Sequence, residues 1–171
     1  SRNNFSGVGM YLYDAGDIAK KQGTVLESQD PSQSICEIQM NKPISAQVQD
    51  ILKKNPTKIG SYVYVSNFKS IDDIAAKVQE HGHCMITVGS NYAEWSSIPQ
   101  VQGMIEWYHC ICIVDYVLYK GKKYLVIEES WGSNIGQFGH RRLLSAEFIS
   151  ARATGAMYLT KPVVEPPFTY T

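Results

Sequence analysis

The sequence predicts an α+β fold, a mostly helical lobe followed by a mostly antiparallel sheet or half-barrel. Three observations lead there. Apolar residues recur at helical spacing in the first half of the chain, β-branched and aromatic runs crowd the second half, and two of those runs flank the turn Lys120-Gly121-Lys122-Lys123. At 171 residues, 44% of them hydrophobic, the chain can bury a core in one domain or two small lobes.

Taken in order, Tyr11 to Gln22 carry Leu12, Ala15, Ile18 and Ala19 at helical spacing and stop at Gly23, a C-terminal cap. Ser28 to Cys36, with Pro31 and several Ser and Gln, reads as loop. A second helix is expected from Ile44 to Lys54, with Ile44, Val48, Ile51 and Leu52 on its apolar face and Asn55-Pro56 ending it. Ile59 to Val65 reads as one strand. Ser70 caps a third helix, because Asp73 follows three residues later and Ile71, Ile74, Ala75 and Val78 form the stripe; His81-Gly82 ends it. Cys84 to Val88, His109 to Tyr119 and Tyr124 to Ile127 read as strands, the last two as a hairpin. Beyond Gly132, Gly136 and Gly139 come a short strand at Arg141 to Leu144, a helical turn from Ser145 to Ile149 and a last strand near Ala156 to Thr160. Pro162 to Thr171, with Pro166 and Pro167, is expected to run over the surface or onto a partner.

Sixteen basic residues balance sixteen acidic ones, which leaves no electrostatic footprint for nucleic acid or an anionic membrane surface. No apolar run reaches the roughly 18 residues a membrane span needs, and no basic-then-apolar signal opens the chain. Four cysteines, Cys36, Cys84, Cys110 and Cys112, are too few for a disulfide scaffold at this length, though their number allows two bridges. The last three lie in apolar strand-like runs, where a free Cys acts as a small buried hydrophobe; this favours reduced thiols and a reducing compartment. Position 1 is Ser, so the sequence is expected to be a processed product or a piece of a longer polypeptide.

The densest chemistry lies between Trp107 and His140. Folding the hairpin about Lys120 sets His109 opposite Trp131 and makes Glu129 its diagonal neighbour on the same face. Such a pair holds an imidazole in one tautomer, as a base serving a nucleophile requires, with Trp131 roofing it against water. The same spacing also fits a hydrogen-bonded core histidine beside an unrelated surface glutamate. His81-Gly82-His83-Cys84 has metal-ligand residue types but no zinc spacing and no second cluster, so it reads as a helix-ending turn and no metal site is assigned. Gly7-Val8-Gly9 lacks the strand-helix context of a phosphate loop. Trp95, near Tyr92 and Pro99, is either a loop anchor at a binding surface or a packed aromatic.

His109-Cys110-Ile111, the turn with Gly121, Tyr124 through Glu128-Glu129-Ser130-Trp131-Gly132, and Gly136-Gln137-Phe138-Gly139-His140 together resemble the C-terminal half of papain-like cysteine peptidases. In that family a His-Ala-Val strand, a hairpin, an Asn-Ser-Trp-Gly motif and a Trp-Gly-x-x-Gly-Tyr motif follow in this order. A thinner likeness extends both ways. Ala75 to Val88 is similar to the family's helix, Gly-Pro-Val and strand; Ser1-Arg2 through Gly7-Val8-Gly9 to the segment whose Gly-Gly pair lines the cleft; Gln29-Asp30-Pro31 and Cys36 to a Tyr-Pro-Tyr and a half-cystine; Ala156 to Leu159 to the closing strand. The resemblance implies a papain-like domain of two lobes over residues 1–161, incomplete at its N-terminus, with 162–171 as a Pro-rich arm. It implies thiol-dependent hydrolysis of a peptide or protein substrate without metal or cofactor. His109 would act as general base and then acid and Glu129 would orient it. Trp131 would be the shield with Ser130 in support, and Gly7, Gly9 and Tyr108 would meet the substrate.

Two departures bear on activity. The family's Cys precedes its His by about 130 to 150 residues, and His109 lies too near the start of the chain for that. The matching Cys is expected upstream of Ser1, in an N-terminal segment of the same precursor. Cys110 and Cys112 point away from the face of His109, Cys84 would need a different attack geometry, and Cys36 matches a half-cystine. Glu129, moreover, stands where the family has Asn. An ionised Glu raises the imidazole pKa and favours an ion pair, which suits triads that use carboxylates and equally suits a relaxed site. The alternative reading is a catalytically inactive papain-like pseudo-peptidase, a binding or structural module in a larger assembly.

Overall fold

The computed structural model describes residues 10–31, 43–68, 70–128, 141–160 and 163–164. Along the chain they form α1 (Leu12–Lys21), α2 (Ala46–Lys54), β1 (Lys58–Ile59), β2 (Tyr62–Val65), α3 (Ile71–His81), β3 (Cys84–Ser90), β4 (Trp107–Tyr119), β5 (Lys122–Glu128), β6 (Arg141–Ser145), α4 (Ala146–Arg152), β7 (Ala153–Leu159) and β8 (Val163–Val164). The chain divides into two units, residues 1–62 with 161–171 and residues 63–160.

In the first unit, α1 places Asp14 in its first turn and Lys20 and Lys21 in its last, the charge order its dipole favours. The chain leaves it through Gly23, whose φ of +82° fits the expected left-handed cap. A Cβ there would lie 2.7 Å from both Pro56 Cβ and Thr57 O, so space as well as conformation demands glycine. The second helix starts later than its apolar pattern, because Ser45 is the N-cap and its Oγ accepts from Val48 N at 3.2 Å. Thr24 and Thr57 form an antiparallel bridge, and β1 pairs antiparallel with β8. Part of the proline-rich arm is therefore strand. The one strand expected over Ile59 to Val65 is two, because β1 pairs with β8 whereas β2 joins the edge of a larger sheet.

That sheet has the order β2-β7-β3-β4-β5-β6, and its pairings from β7 to β6 are antiparallel. Ser70 caps α3 as expected, accepting from Asp73 N at 3.2 Å, and Gly82 closes it at φ +78°. The predicted stripe of Ile71, Ile74, Ala75 and Val78 is the buried one. The helical turn expected from Ser145 extends to Arg152, with Ser145 Oγ accepting from Phe148 N at 3.1 Å. Helices α3 and α4 pack on one face of the sheet, Ile74 and Phe148 meeting Ile86, Ile111, Leu125 and Leu144. On the other face Tyr124, Val126 and Leu143 gather a smaller cluster with Val114 and Val117.

The β4–β5 hairpin carries the register that matters most. Tyr119 pairs with Lys122 across a two-residue turn in which Lys120 has φ +49° and Gly121 +75°, the positive pair that matches strand twist. This turn moves the register one residue from a fold about Lys120. A bulge at Val114, between the pairs Ile113↔Ile127 and Asp115↔Val126, moves it back. The last described pair, Cys112↔Glu128, is the one a fold about Lys120 produces.

Candidate active site

Strand alternation divides β4 into two rows. Trp107, His109, Ile111 and Ile113 face the side on which α3 and α4 pack, and Tyr108, Cys110 and Cys112 face away. His109 is half-buried and sits directly across from Val88, which is fully buried. The long connection from Asn91 to Glu106 folds back over this end of the strand and delivers Trp95. The Trp95 and His109 ring centroids are 6.3 Å apart at 88°, and those of Trp107 and His109 are 6.4 Å apart at 81°. The two indoles meet edge-to-face at 5.5 Å, the arrangement aromatic quadrupoles prefer. Trp95 is 7% exposed, packs on Phe148 at 5.9 Å and lies under the Arg142 guanidinium at 5.2 Å. It is thus a packed aromatic, and two indoles wall the imidazole. In so apolar a setting hydrogen bonds and ion pairs are stronger than in water.

The cysteines separate by face. Cys84 is buried on the same side as His109, but it pairs with Ile113 while His109 pairs with Val88, an offset along the strand of about 13 Å. Burial, and then the neighbouring Cys112, push its thiol up to about 11, where thiolate is scarce at neutral pH. Cys110 is exposed and Cys112 half-buried, not buried as their apolar surroundings in sequence suggested. They occupy the face of β4 away from both helices, and partial desolvation by the surrounding strands raises both thiols. Tyr108 is 65% exposed, also on the face away from His109. Gly7, Gly9, Cys36, Glu129, Ser130 and Trp131 lie outside the described residues.

One constellation has no counterpart in the sequence reading. Glu94, 1% exposed, accepts from Ser90 Oγ, Gln102 N and Arg152 Nη2, each at 2.8 Å. Arg152, the last residue of α4, also donates to Gly103 O at 2.9 Å. Burial pushes the Glu94 carboxyl up, but the Arg152 guanidinium, the Gln102 N–H and the Ser90 hydroxyl outweigh it and hold the group below the usual carboxylate value. No periodicity or motif links a loop glutamate to an arginine so distant in sequence. Among the described residues no group of three or more His, Cys, Asp or Glu side chains could hold a metal ion, and no helix is long and apolar enough to cross a membrane.

Residues 3–158 match the family described as papain family cysteine protease. No curated protein sequence matches the chain. Among solved structures, a procathepsin B from Trypanosoma congolense superposes with a TM-score of 0.69 at 13% identity, covering 91% of this chain and 55% of that one. Procathepsin L2 from the larval midgut of Tenebrio molitor gives 0.65 at 19% identity, covering 94% and 50%. The cysteine protease and lectin-like domains of Cwp84, a surface-layer-associated protein of Clostridium difficile, give 0.64 at 14% identity, covering 90% and 36%. The chain thus spans about half or less of the length of these relatives.

Proposed function

Because the chain belongs to the papain family of cysteine proteases, we propose that it carries the imidazole half of a thiol-dependent peptide-hydrolysing site. His109 takes the proton of a cysteine thiol and stabilises the thiolate as an ion pair; the thiolate attacks the scissile carbonyl, and the imidazolium gives its proton to the amine nitrogen as the C–N bond breaks and the acyl-enzyme forms. Water then releases the acyl group with the same imidazole as base. Glu129 orients His109, Trp131 excludes water with Ser130 beside it, and Gly7, Gly9 and Tyr108 contact the peptide substrate. The nucleophile comes from a segment N-terminal to Ser1, part of the same precursor and a partner of this chain.

The observation that carries this reading is the setting of His109: at the beginning of a sheet strand, against Trp95 and Trp107, in a chain matched to the family over residues 3–158. No described cysteine reaches that imidazole, which is why the thiol is sought elsewhere. The test is hydrolysis of a fluorogenic peptide by the complete protein. His109→Ala should remove activity by at least about a thousandfold while circular dichroism stays unchanged, and retained hydrolysis in that variant overturns the assignment.

The lack of a described cysteine in reach of His109 also favours a second reading, an inactive papain-like module that binds without cleaving. An electrophilic active-site thiol probe separates the two. Labelling of one upstream cysteine, lost in His109→Ala, supports the peptidase; no labelling in the complete protein supports the module.

A further inference from the structure

We propose that Glu94 and Arg152 are positioning residues for His109: their buried ion pair locks the Asn91–Glu106 connection and so fixes Trp95 against the imidazole. The proposal rests on the reading of His109 given above. A connection of this length is uncommon unless something organises it. Here the organiser is polar and buried. The Glu94 carboxylate ties the end of β3, through Ser90 Oγ, to the far limb of the connection, through Gln102 N, and to α4, through Arg152. Arg152 Nη2 also donates to Gly103 O at 2.9 Å. Asn91 closes the base, accepting from Glu94 N at 3.0 Å and donating to Gln102 O at 2.7 Å and Met104 O at 3.0 Å.

Trp95 is the residue immediately after Glu94, so the anchor of the carboxylate is also the anchor of the indole. The opposite limb returns to the sheet at Glu106, whose N–H donates to Ser90 O at 2.8 Å, one residue before Trp107. Both indoles that wall His109 therefore leave the same polar clamp. Apolar packing alone would hold Trp95 in the core, but an indole held only by packing can rotate. A charged network that joins three elements restricts the plane it presents, and plane and edge are what the imidazole meets. A misplacement of about 1 Å at a catalytic group lowers turnover by up to about a hundredfold.

The experiment is proton NMR of the imidazole in the full 171-residue chain, where two indoles with centroids 6.3 and 6.4 Å away and nearly perpendicular to the imidazole impose ring-current shifts on its carbon-bound protons. Glu94→Gln keeps shape but removes the charge opposite Arg152: its carbonyl oxygen can still face Gln102 N and Arg152 while its amide donates to Ser90 Oγ, leaving a buried guanidinium with neutral acceptors alone. At a temperature well below unfolding it should move those shifts most of the way to the values of Trp95→Leu, whereas Trp95→Phe should retain much of them. Arg152→Lys keeps the charge but cannot reproduce the reach of the one guanidinium nitrogen, Nη2, that joins Glu94 to Gly103 O, and should give an intermediate shift, serving also if Glu94→Gln does not fold. In the complete protein the same variants should lower kcat on the order of tenfold with KM little changed. Unchanged ring-current shifts in a folded Glu94→Gln or Arg152→Lys chain overturn the proposal, whatever happens to thermal stability. Loss of the shifts with hydrolysis indifferent to His109→Ala leaves the clamp standing and overturns the peptidase reading instead.

Discussion

Replacing Arg152 by Met tests the buried charge pair by thermodynamics alone. The methionine fills a similar length of space, but Glu94, 1% exposed, loses its only described cation, and Gly103 O loses its 2.9 Å donor. Two donors remain to the carboxylate, Ser90 Oγ and Gln102 N. Removing one partner of a buried pair costs about 3–5 kcal/mol because a charge is left in a low dielectric, a large share of the roughly 5–15 kcal/mol that holds a domain together. The pH dependence carries a second signature. In the native protein the folded value of Glu94 lies below its unfolded one, so its contribution is present above the unfolded value, about 4.3, and is lost as pH falls through the folded value. In Arg152→Met the cation no longer helps to outweigh burial, so the folded value rises and acid weakens the variant less than the native protein. The gap between the two proteins should therefore be smaller at about pH 4 than at pH 7. Urea unfolding followed by tryptophan fluorescence measures it at both pH values. A gap below about 1 kcal/mol at pH 7, or one of equal size at both, refutes the reasoning.

Other consequences are simpler to check. Iodoacetamide at pH 8 should modify Cys110, the exposed thiol, before Cys84, which is 1% exposed with its thiol up at about 11; peptide mapping of the native chain that found Cys84 labelled first would contradict the burial pattern. Gly23→Ala combines a φ of +82° with Cβ contacts at 2.7 Å to Pro56 and Thr57, and it should destabilise the first unit by more than about 1 kcal/mol, raising hydrogen exchange in α1 while β4 keeps its protection. Ser70→Ala removes the cap of α3 and should cost about 1 kcal/mol in urea unfolding, with Ser70→Asp largely neutral.

Local rules read most of the elements correctly because their causes are local. The stripe Ile71-Ile74-Ala75-Val78, the Ser70 cap and the Gly82 terminus all lie within the helix they define, and the Lys120-Gly121 turn needs only its own two dihedral angles. The order of motifs around His109 likewise pointed to the papain family, which the match over residues 3–158 establishes. The division of Ile59 to Val65 into β1 and β2 was not legible, since it depends on which distant strands pair with each half. Nor was the exposure of Cys110, because an apolar stretch of sequence does not reveal which face of its strand the helices cover.

The bulge at Val114 shows the distinction best. Counting back from Lys120 leads to the pair Cys112↔Glu128, yet the real turn is one residue out of step and only the extra residue in β4 restores the count. The sequence by itself determined the α+β class, the family and the candidate imidazole, since these follow from patterns read along one strand or helix. Tertiary structure alone decided what surrounds that imidazole. Trp95 reaches His109 because Glu94 and Arg152, far apart in the chain, meet in a region too dry to leave either charge unpaired.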